Sequence, residues 1–565
     1  MSILYTLSVC LDILLRFLNI GKSQCLTRED LNKTLGGRLV KAAPLATPCF
    51  SNPNGEACAS LKTELTSWYY RTSKYEGFRH LQGEACAADT DDQCLLETST
   101  LSPPPNSQCG QGVVSPEYVK ITGEGDVRAI FDYAKSSGSL LSIKNTGIDF
   151  NGRSSRQGSL AIWTRGLQDM VYNPSFSPNG CADGGATSKA ITIGAGVRMD
   201  EAVLFAHENG VVFSGGNDGS AGVAGGWSLN GGHGFLSGSL GLGADRVVEI
   251  TIVTPDGEVR VVNSCVDSDL FWALRGGGGG TFGVVLNSTH LVEDEAPLTV
   301  AVLSFPATAE NERPFVSLLA ENLPSWALEG WGGPSFTNLS VLVNPFLDVA
   351  EAETMLEPIV SYVKDQGGNS EISLYPTYFD FYKNAINGTF AHAQPISTAV
   401  TASTRLIPES MFQDTTARES VVDAIMEAQA SGYSPCMMTD TPYRYGRDNQ
   451  NPGTSLPSVW YKSVTMLSAT VEWPGSSSLE DRKQAVSSFR GLTDSWAALS
   501  PEGAAYSNEA DPWTEDWAQQ YWGENYDRLL EVKQRFDPDG LLSCWHCVGW
   551  EESQPAYECL SGLAP

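Results

Sequence analysis

The feature that most constrains this chain is a run of small residues, Ser214-Gly215-Gly216-Asn217-Asp218-Gly219-Ser220-Ala221-Gly222-Val223-Ala224-Gly225-Gly226, continued by Asn230-Gly231-Gly232-His233-Gly234. Backbone this free of Cβ atoms turns tightly, passes close to other segments and points successive amide N–H groups at one anion. That region must let backbone approach something closely. One reading is a nest for the pyrophosphate of a dinucleotide; glycine-rich turns between strands account for the composition equally well. The spacing is not the strand-Gly-x-Gly-x-x-Gly-helix unit of nicotinamide-binding folds, and no Gly-Lys-Ser/Thr loop follows it. The 56 glycines of the chain concentrate between Gly194 and Gly283, which sets aside a linker or a collagen-like repeat.

The flanks supply regular elements. Tyr118 to Ile121 and Leu140 to Lys144 read as strands around a helix from Gly125 to Ser136, with Val127, Ile130, Phe131 and Ala134 on one face. A second round follows: a strand at Ile191 to Gly194, a helix at Asp200 to Asn209 capped by Asp200, and a strand at Val211 to Phe213. Val247 to Thr254 and Glu258 to Val262 alternate around Pro255-Asp256-Gly257 as a hairpin. Beyond Val292, amphipathic segments such as Val349 to Asp365 and Glu419 to Ala430 mix with strands at Asn338 to Val343 and Val464 to Val471, predicting a second α+β domain. Trp517 to Phe536 reads as one long amphipathic helix stopped by Asp537-Pro538-Asp539-Gly540.

Charge and cysteine usage narrow the setting. With 36 Lys and Arg against 66 Asp and Glu, the chain repels phosphate backbones and anionic membrane surfaces, so neither nucleic acid nor membrane is an expected partner. Residues 1–23 carry two apolar runs and end in Gly21-Lys22-Ser23, a pattern read as a secretory signal. Asp12 and Arg16 interrupt that pattern, and an amphipathic N-terminal helix is the alternative. Removing the segment takes away Cys10 and leaves twelve of the 13 cysteines, which predicts several disulfides and a secreted protein. Asn32, Asn287, Asn338 and Asn387 head sequons. Six cysteines and several turn-rich runs make residues 24–113 a disulfide-braced N-terminal segment.

Order along the chain separates the two readings of the glycine run. Lys144-Asn145-Thr146-Gly147-Ile148-Asp149-Phe150, the Gly215 to Gly234 run, Gly241-Leu242-Gly243-Ala244-Asp245 and Asp269-Leu270-Phe271-Trp272 through Phe282-Gly283 resemble the vanillyl-alcohol-oxidase-type FAD domain. Asn508-Glu509-Ala510-Asp511 and Tyr521-Trp522-Gly523-Glu524-Asn525-Tyr526, with Lys533 and Phe536-Asp537-Pro538, resemble the closing segment of berberine bridge enzyme-like oxidoreductases. The likeness covers about Val114 to Gly549.

It implies an α+β fold: a two-lobed PCMH-type FAD-binding domain (114–297), a substrate domain with an antiparallel sheet and helices (298–507), and a C-terminal segment (508–565) that returns to the FAD domain. The cofactor-binding residues it implies are Lys144, Asn145, Thr146, Gly147, Ile148 and Asp149; Ser214, Gly215, Gly216, Asp218, Ser220, Gly222, Gly225 and Gly226; Asn230, His233 and Gly234; and Asn525 and Tyr526.

Two positions depart from the family. Relatives usually carry a His where Ile148 stands, bonded to the flavin 8α-methyl, and many carry a Cys where Asp218 stands, bonded to flavin carbon six. Neither present side chain forms such a bond, so FAD is expected to be noncovalent. Asp218 has three readings: an anion opposing reduced flavin, a buried acid, or a loop residue making a turn hydrogen bond. Tyr382 and Tyr461, in segments resembling substrate-domain elements that face the flavin, are candidate catalytic residues beside Asp218; core packing is the alternative for each tyrosine.

His233 reads as a neighbour of the cofactor, and no metal-ligand spacing is present. Cys544-Trp545-His546-Cys547 reads as a disulfide or packing element. The expected function is oxidation of a small organic molecule, as in secondary metabolism, by hydride transfer to FAD with molecular oxygen as acceptor. The alternatives are a redox-silent relative performing a non-redox cyclisation or binding a ligand, and a secreted carbohydrate oxidase.

Overall fold

The computed structural model describes residues 25–181, 187–385, 397–449, 453–552 and 557–564; the signal-like stretch, Cys10 and the Asn387 sequon lie outside them. Three large sheets organise the described residues, beside a two-stranded pair of β7 (Val211–Val212) and β11 (Glu293–Asp294). In the first, β1 (Leu39–Lys41), β2 (Glu117–Lys120), β4 (Leu160–Trp163) and β3 (Leu141–Lys144) lie in the order β1-β2-β4-β3. β4 runs parallel to both β2 and β3, which requires crossover connections. The helix Glu124–Ser137 provides the one between β2 and β3, burying Val127, Ile130, Phe131 and Ala134 against Val119 and Ile162 and ending on Gly138 at φ 69°.

The second sheet is antiparallel, in the order β5 (Met170–Phe176), β6 (Ser188–Gly194), β10 (Val284–Leu291), β8 (Val247–Val253), β9 (Val259–Asn263). The β8–β9 hairpin turns at Asp256, whose Oδ1 accepts from Thr254 Oγ1 at 2.6 Å and from the Glu258 amide at 3.1 Å. The C-terminal helix Tyr526–Phe536 packs Leu529, Val532 and Phe536 into the core formed with Ile250, Ile252 and Val262, so the end of the chain does return to this domain.

The third sheet has seven antiparallel strands: β15 (Asn369–Tyr375), β12 (Leu298–Ser304), β14 (Leu339–Asn344), β13 (Pro334–Ser335), β17 (Cys436–Met438), β18 (Ser463–Pro474) and β16 (Thr398–Pro408). Successive strand side chains face opposite ways. Met437, Leu467, Ala469 and Val471 thus meet the helices Glu312–Leu328, Thr415–Ala430 and Leu479–Leu499, while Met438, Val400, Thr470 and Glu472 are left for the other face.

The N-terminal segment is braced as expected. Cys49–Cys58 and Cys94–Cys109 close local loops, and Cys86–Cys559 joins it to the far end of the chain. Cys181–Cys265 and Cys544–Cys547 complete five disulfides among the described residues.

Three sequence expectations need correction. Val349 to Asp365 is two helices, Val349–Met355 and Glu357–Asp365, because Pro358 starts a new helix. Trp517 to Phe536 breaks at Gly523, whose φ of 47° lies in the left-handed region, into Trp517–Trp522, a 3₁₀ turn and Tyr526–Phe536. Asp200 does not cap its helix: Arg198 is the N-cap, and its amide donates to Glu201 Oε2 at 2.8 Å. Of the described sequons, Asn287 lies inside β10, paired on both sides by β6 and β8, which makes it a poor glycan acceptor.

Candidate functional site

A cavity of about 470 Å³ opens where the loop after β3, the glycine run, the third sheet and the C-terminal segment meet. The β3 loop contributes Asn145, Thr146, Gly147, Ile148 and Asp149 to its wall. Both amide atoms of Asn145 are buried without a hydrogen-bond partner. That arrangement costs free energy unless something in the cavity completes it. A Cβ at Gly222 would stand 2.1 Å from Asn145 Nδ2, so only glycine leaves room for that amide.

Lys144 sits elsewhere. Its Nζ is buried and donates to the carbonyls of Lys74, Tyr75 and Gly77 at 2.9, 2.7 and 2.6 Å, and burial pulls its pKa down to about 7. It ties the loop to the N-terminal segment and is not on the cavity wall.

Within the glycine run, Gly216, Asp218, Gly222, Gly225, Gly226, Asn230 and His233 line the cavity, whereas Ser214, Gly215, Ser220 and Gly234 lie behind it. Gly215 and Gly234 serve a packing purpose: a Cβ on Gly234 would stand 2.0 Å from the Gly215 carbonyl oxygen. Ser220 donates through its amide and hydroxyl to Asp218 Oδ1, at 2.8 and 2.7 Å. The C-terminal segment closes the wall, with Ser507 Oγ donating to Asn230 Oδ1 at 2.8 Å and Asn508 Nδ2 to the Gly226 carbonyl at 3.0 Å.

His233 is buried between two carboxylates, with Nδ1 3.2 Å from Asp440 and Nε2 3.4 Å from Glu509. Burial opposes protonation, but Glu509 and Asp440 together outweigh it and hold the ring's pKa up to about 10. It therefore carries a proton at neutral pH and is no base.

Neither candidate tyrosine reaches the cavity. Tyr382 is buried and donates its hydroxyl to the Gly216 carbonyl at 3.2 Å, and burial raises its pKa well above the ordinary value. Tyr461 donates to Asp245 Oδ1 at 2.7 Å and is likewise raised by burial. Asn525 and Tyr526 also lie off the wall: Asn525 Nδ2 bonds the Leu456 carbonyl at 2.9 Å, and the Tyr526 hydroxyl accepts from the Gly549 amide at 3.4 Å.

Glu472, Arg79 and His80 are among the wall residues that were not foreseen. Glu472 is the only carboxylate that the third sheet presents to the cavity among the described residues; the strand alternation of Val464 to Val471 carries on to it. Arg79 and His80 come from the braced N-terminal segment, which holds no sequence signal for a site. His80 is 4% exposed, stacks on Phe150 at 4.4 Å, and has both ring nitrogens unpartnered.

The chain is similar to known proteins in sequence and in fold. Residues 116–263 match the FAD binding domain family model, and residues 505–544 the berberine and berberine-like model. The chain is 39% identical to the FAD-linked oxidoreductase OXR2 of Pyricularia oryzae, covering 100% of this chain and 98% of that protein. It is 28% identical to the bifunctional decalin synthase calF of Penicillium decumbens, over 92% of this chain and 90% of that protein. Among solved structures, the VAO-type flavoprotein MtVAO615 of Myceliophthora thermophila superposes with a TM-score of 0.77 at 26% identity, covering 94% of this chain and 97% of that one.

Proposed function

Because this chain belongs to the FAD-linked oxidoreductases, with the VAO-type and berberine bridge enzyme-like fold, we propose that its cavity binds FAD without a covalent tether and oxidises a small organic molecule there. The observation that carries the reading is the glycine-floored wall with the unpartnered Asn145 amide, facing the one open carboxylate of the third sheet. Gly222, Gly225 and Gly226 offer backbone close to a pyrophosphate, and Asn145 offers both a donor and an acceptor. Bound FAD supplies a hydride acceptor. Glu472 takes the substrate proton, while His233 is held by Asp440 and Glu509 as an ion-paired part of the wall. Ile148 and Asp218, at the two positions where relatives attach flavin, offer no group that bonds carbon.

Domain limits of 114–297, 298–507 and 508–565 belong to the same proposal, as do secretion and molecular oxygen as electron acceptor. The five disulfides support secretion. A second reading, non-redox cyclisation in the same cavity, is favoured by the likeness to a protein named a bifunctional decalin synthase. A carbohydrate oxidase would share the fold, but the relatives with that activity are expected to carry tethered flavin.

The test is a visible spectrum of the purified protein followed by acid precipitation. Yellow protein that releases its colour to the supernatant is the expected result. Colour kept in the pellet overturns the noncovalent reading and directs attention to His80; a colourless protein that takes up no added FAD overturns flavin binding. Anaerobic bleaching by a substrate separates oxidation from cyclisation around an unchanging flavin.

A further inference from the structure

Asp218 brings a carboxylate to the cavity wall, and the structure answers it from an unexpected part of the chain. Its Oδ1 is occupied by the amide and hydroxyl of Ser220, which leaves Oδ2 turned to Arg79 Nη2 at 3.4 Å. Among the described residues Arg79 is the only basic side chain within ion-pair distance of Asp218. The neighbouring acid Asp200 has its own partner in Arg198, at 3.1 Å.

Arg79 is not a mobile surface arginine. Its guanidinium lies 3.5 Å above the Trp68 ring and its side chain is 8% exposed. Its backbone amide donates to the Gly147 carbonyl at 2.9 Å, in the loop that also carries Asn145 and Ile148. Three residues on, Gln82 donates to the Phe150 carbonyl at 3.0 Å and accepts from the Val400 amide at 3.2 Å, bridging that loop to β16. Nη1 of Arg79 is buried with no hydrogen-bond partner, so its ion pair with Asp218 does not exhaust the guanidinium.

We propose that Arg79 is a positioning residue of the cofactor site: it neutralises Asp218 on the cavity wall and thereby sets how readily FAD bound there accepts electrons. The proposal rests on FAD occupying this cavity. Reduced flavin carries more negative charge than oxidised flavin, and in a water-poor cavity an unpaired carboxylate opposes that charge more strongly than it would in solvent. Pairing with Arg79 removes most of that opposition. The N-terminal segment is thus part of the redox site and not only a brace.

The experiment is the midpoint potential of the bound flavin, by equilibration with a reference dye, in wild type, Arg79→Met, Asp218→Asn and the double variant, with FAD affinity followed by flavin fluorescence. Arg79→Met is expected to lower the potential by at least a tenfold change in the ratio of oxidised to reduced flavin, about 30 mV for a two-electron couple. Asp218→Asn is expected to raise it, and the double variant to lie close to wild type. An unchanged potential in loaded Arg79→Met, or a double variant whose potential stays as low as that of Arg79→Met, overturns the proposal. Should Arg79→Met fail to fold or to hold FAD, Asp218→Asn decides alone: a raised potential supports the pairing and an unchanged one overturns it. Wild-type protein that binds no FAD would instead overturn the functional reading beneath it.

Discussion

At the scale of single residues, the site is a set of charges placed where burial makes them count. Glu472 is exposed to the cavity and stands apart from the paired acids, so Glu472→Gln should lower kcat by about 10²–10⁴-fold, the usual weight of a proton acceptor, while leaving FAD affinity unchanged. Turnover with the expected substrate class and a fluorescence titration with FAD check the two halves separately.

His233 predicts a pH effect. Its pKa rises from 6.5 to about 10 on folding, so the stabilisation from Glu509 and Asp440 is fully present below about pH 6.5 and is lost as pH rises toward about 10. The unfolding temperature of wild type should therefore fall across that window more steeply than that of His233→Asn. Equal slopes would deny the charged pairing.

The sequence located His233 but not its charge, because Asp440 and Glu509 lie far from it along the chain and near it only in space. Asn145 and the glycines were legible from motif order. Arg79 was not, since nothing local marks an arginine that acts across a loop. Tyr382 and Tyr461 lie off the cavity wall for a related reason: a motif places a residue in a segment, and packing alone decides which way its hydroxyl points.

At the scale of elements, legibility followed local physics. The helix Glu124–Ser137 and the β8–β9 hairpin appear close to where periodicity and turn chemistry put them. The breaks at Pro358 and Gly523 were missed because amphipathic spacing continues across both. The glycine run itself makes a testable element.

Gly222→Ala would bring a Cβ onto the end of the Asn145 side chain, a flexible group that can move aside. The fold should survive with a small change in unfolding temperature, while displacement of that amide weakens FAD binding tenfold or more, about 1.4 kcal/mol. An unchanged affinity would remove Asn145 from the binding site.

At the scale of the whole molecule, the disulfides differ in what they hold. Cys86–Cys559 spans a sequence separation of 473, whereas Cys544–Cys547 spans 3. Cross-links stabilise more as the loop they close grows, and loss of a native disulfide typically costs about 2–5 kcal/mol. Replacing Cys86 and Cys559 together by Ser should lower denaturant stability by an amount in that range, and more than the same change at Cys544 and Cys547. Urea unfolding under non-reducing conditions measures both.

The wall of the cavity draws on Arg79 far toward one end of the sequence and on Asn508 and Glu509 far toward the other, with Ser507 fastening Asn230 from behind. During synthesis, then, the glycine run emerges long before the residues that hold it in shape. A chain halted before Ser507 has the nest but lacks the side chains that fasten it to the C-terminal segment. On the proposed function, cofactor loading is expected after the residues from Ser507 onward have been made and folded back, so that flavin retention would report on completed folding as much as on affinity.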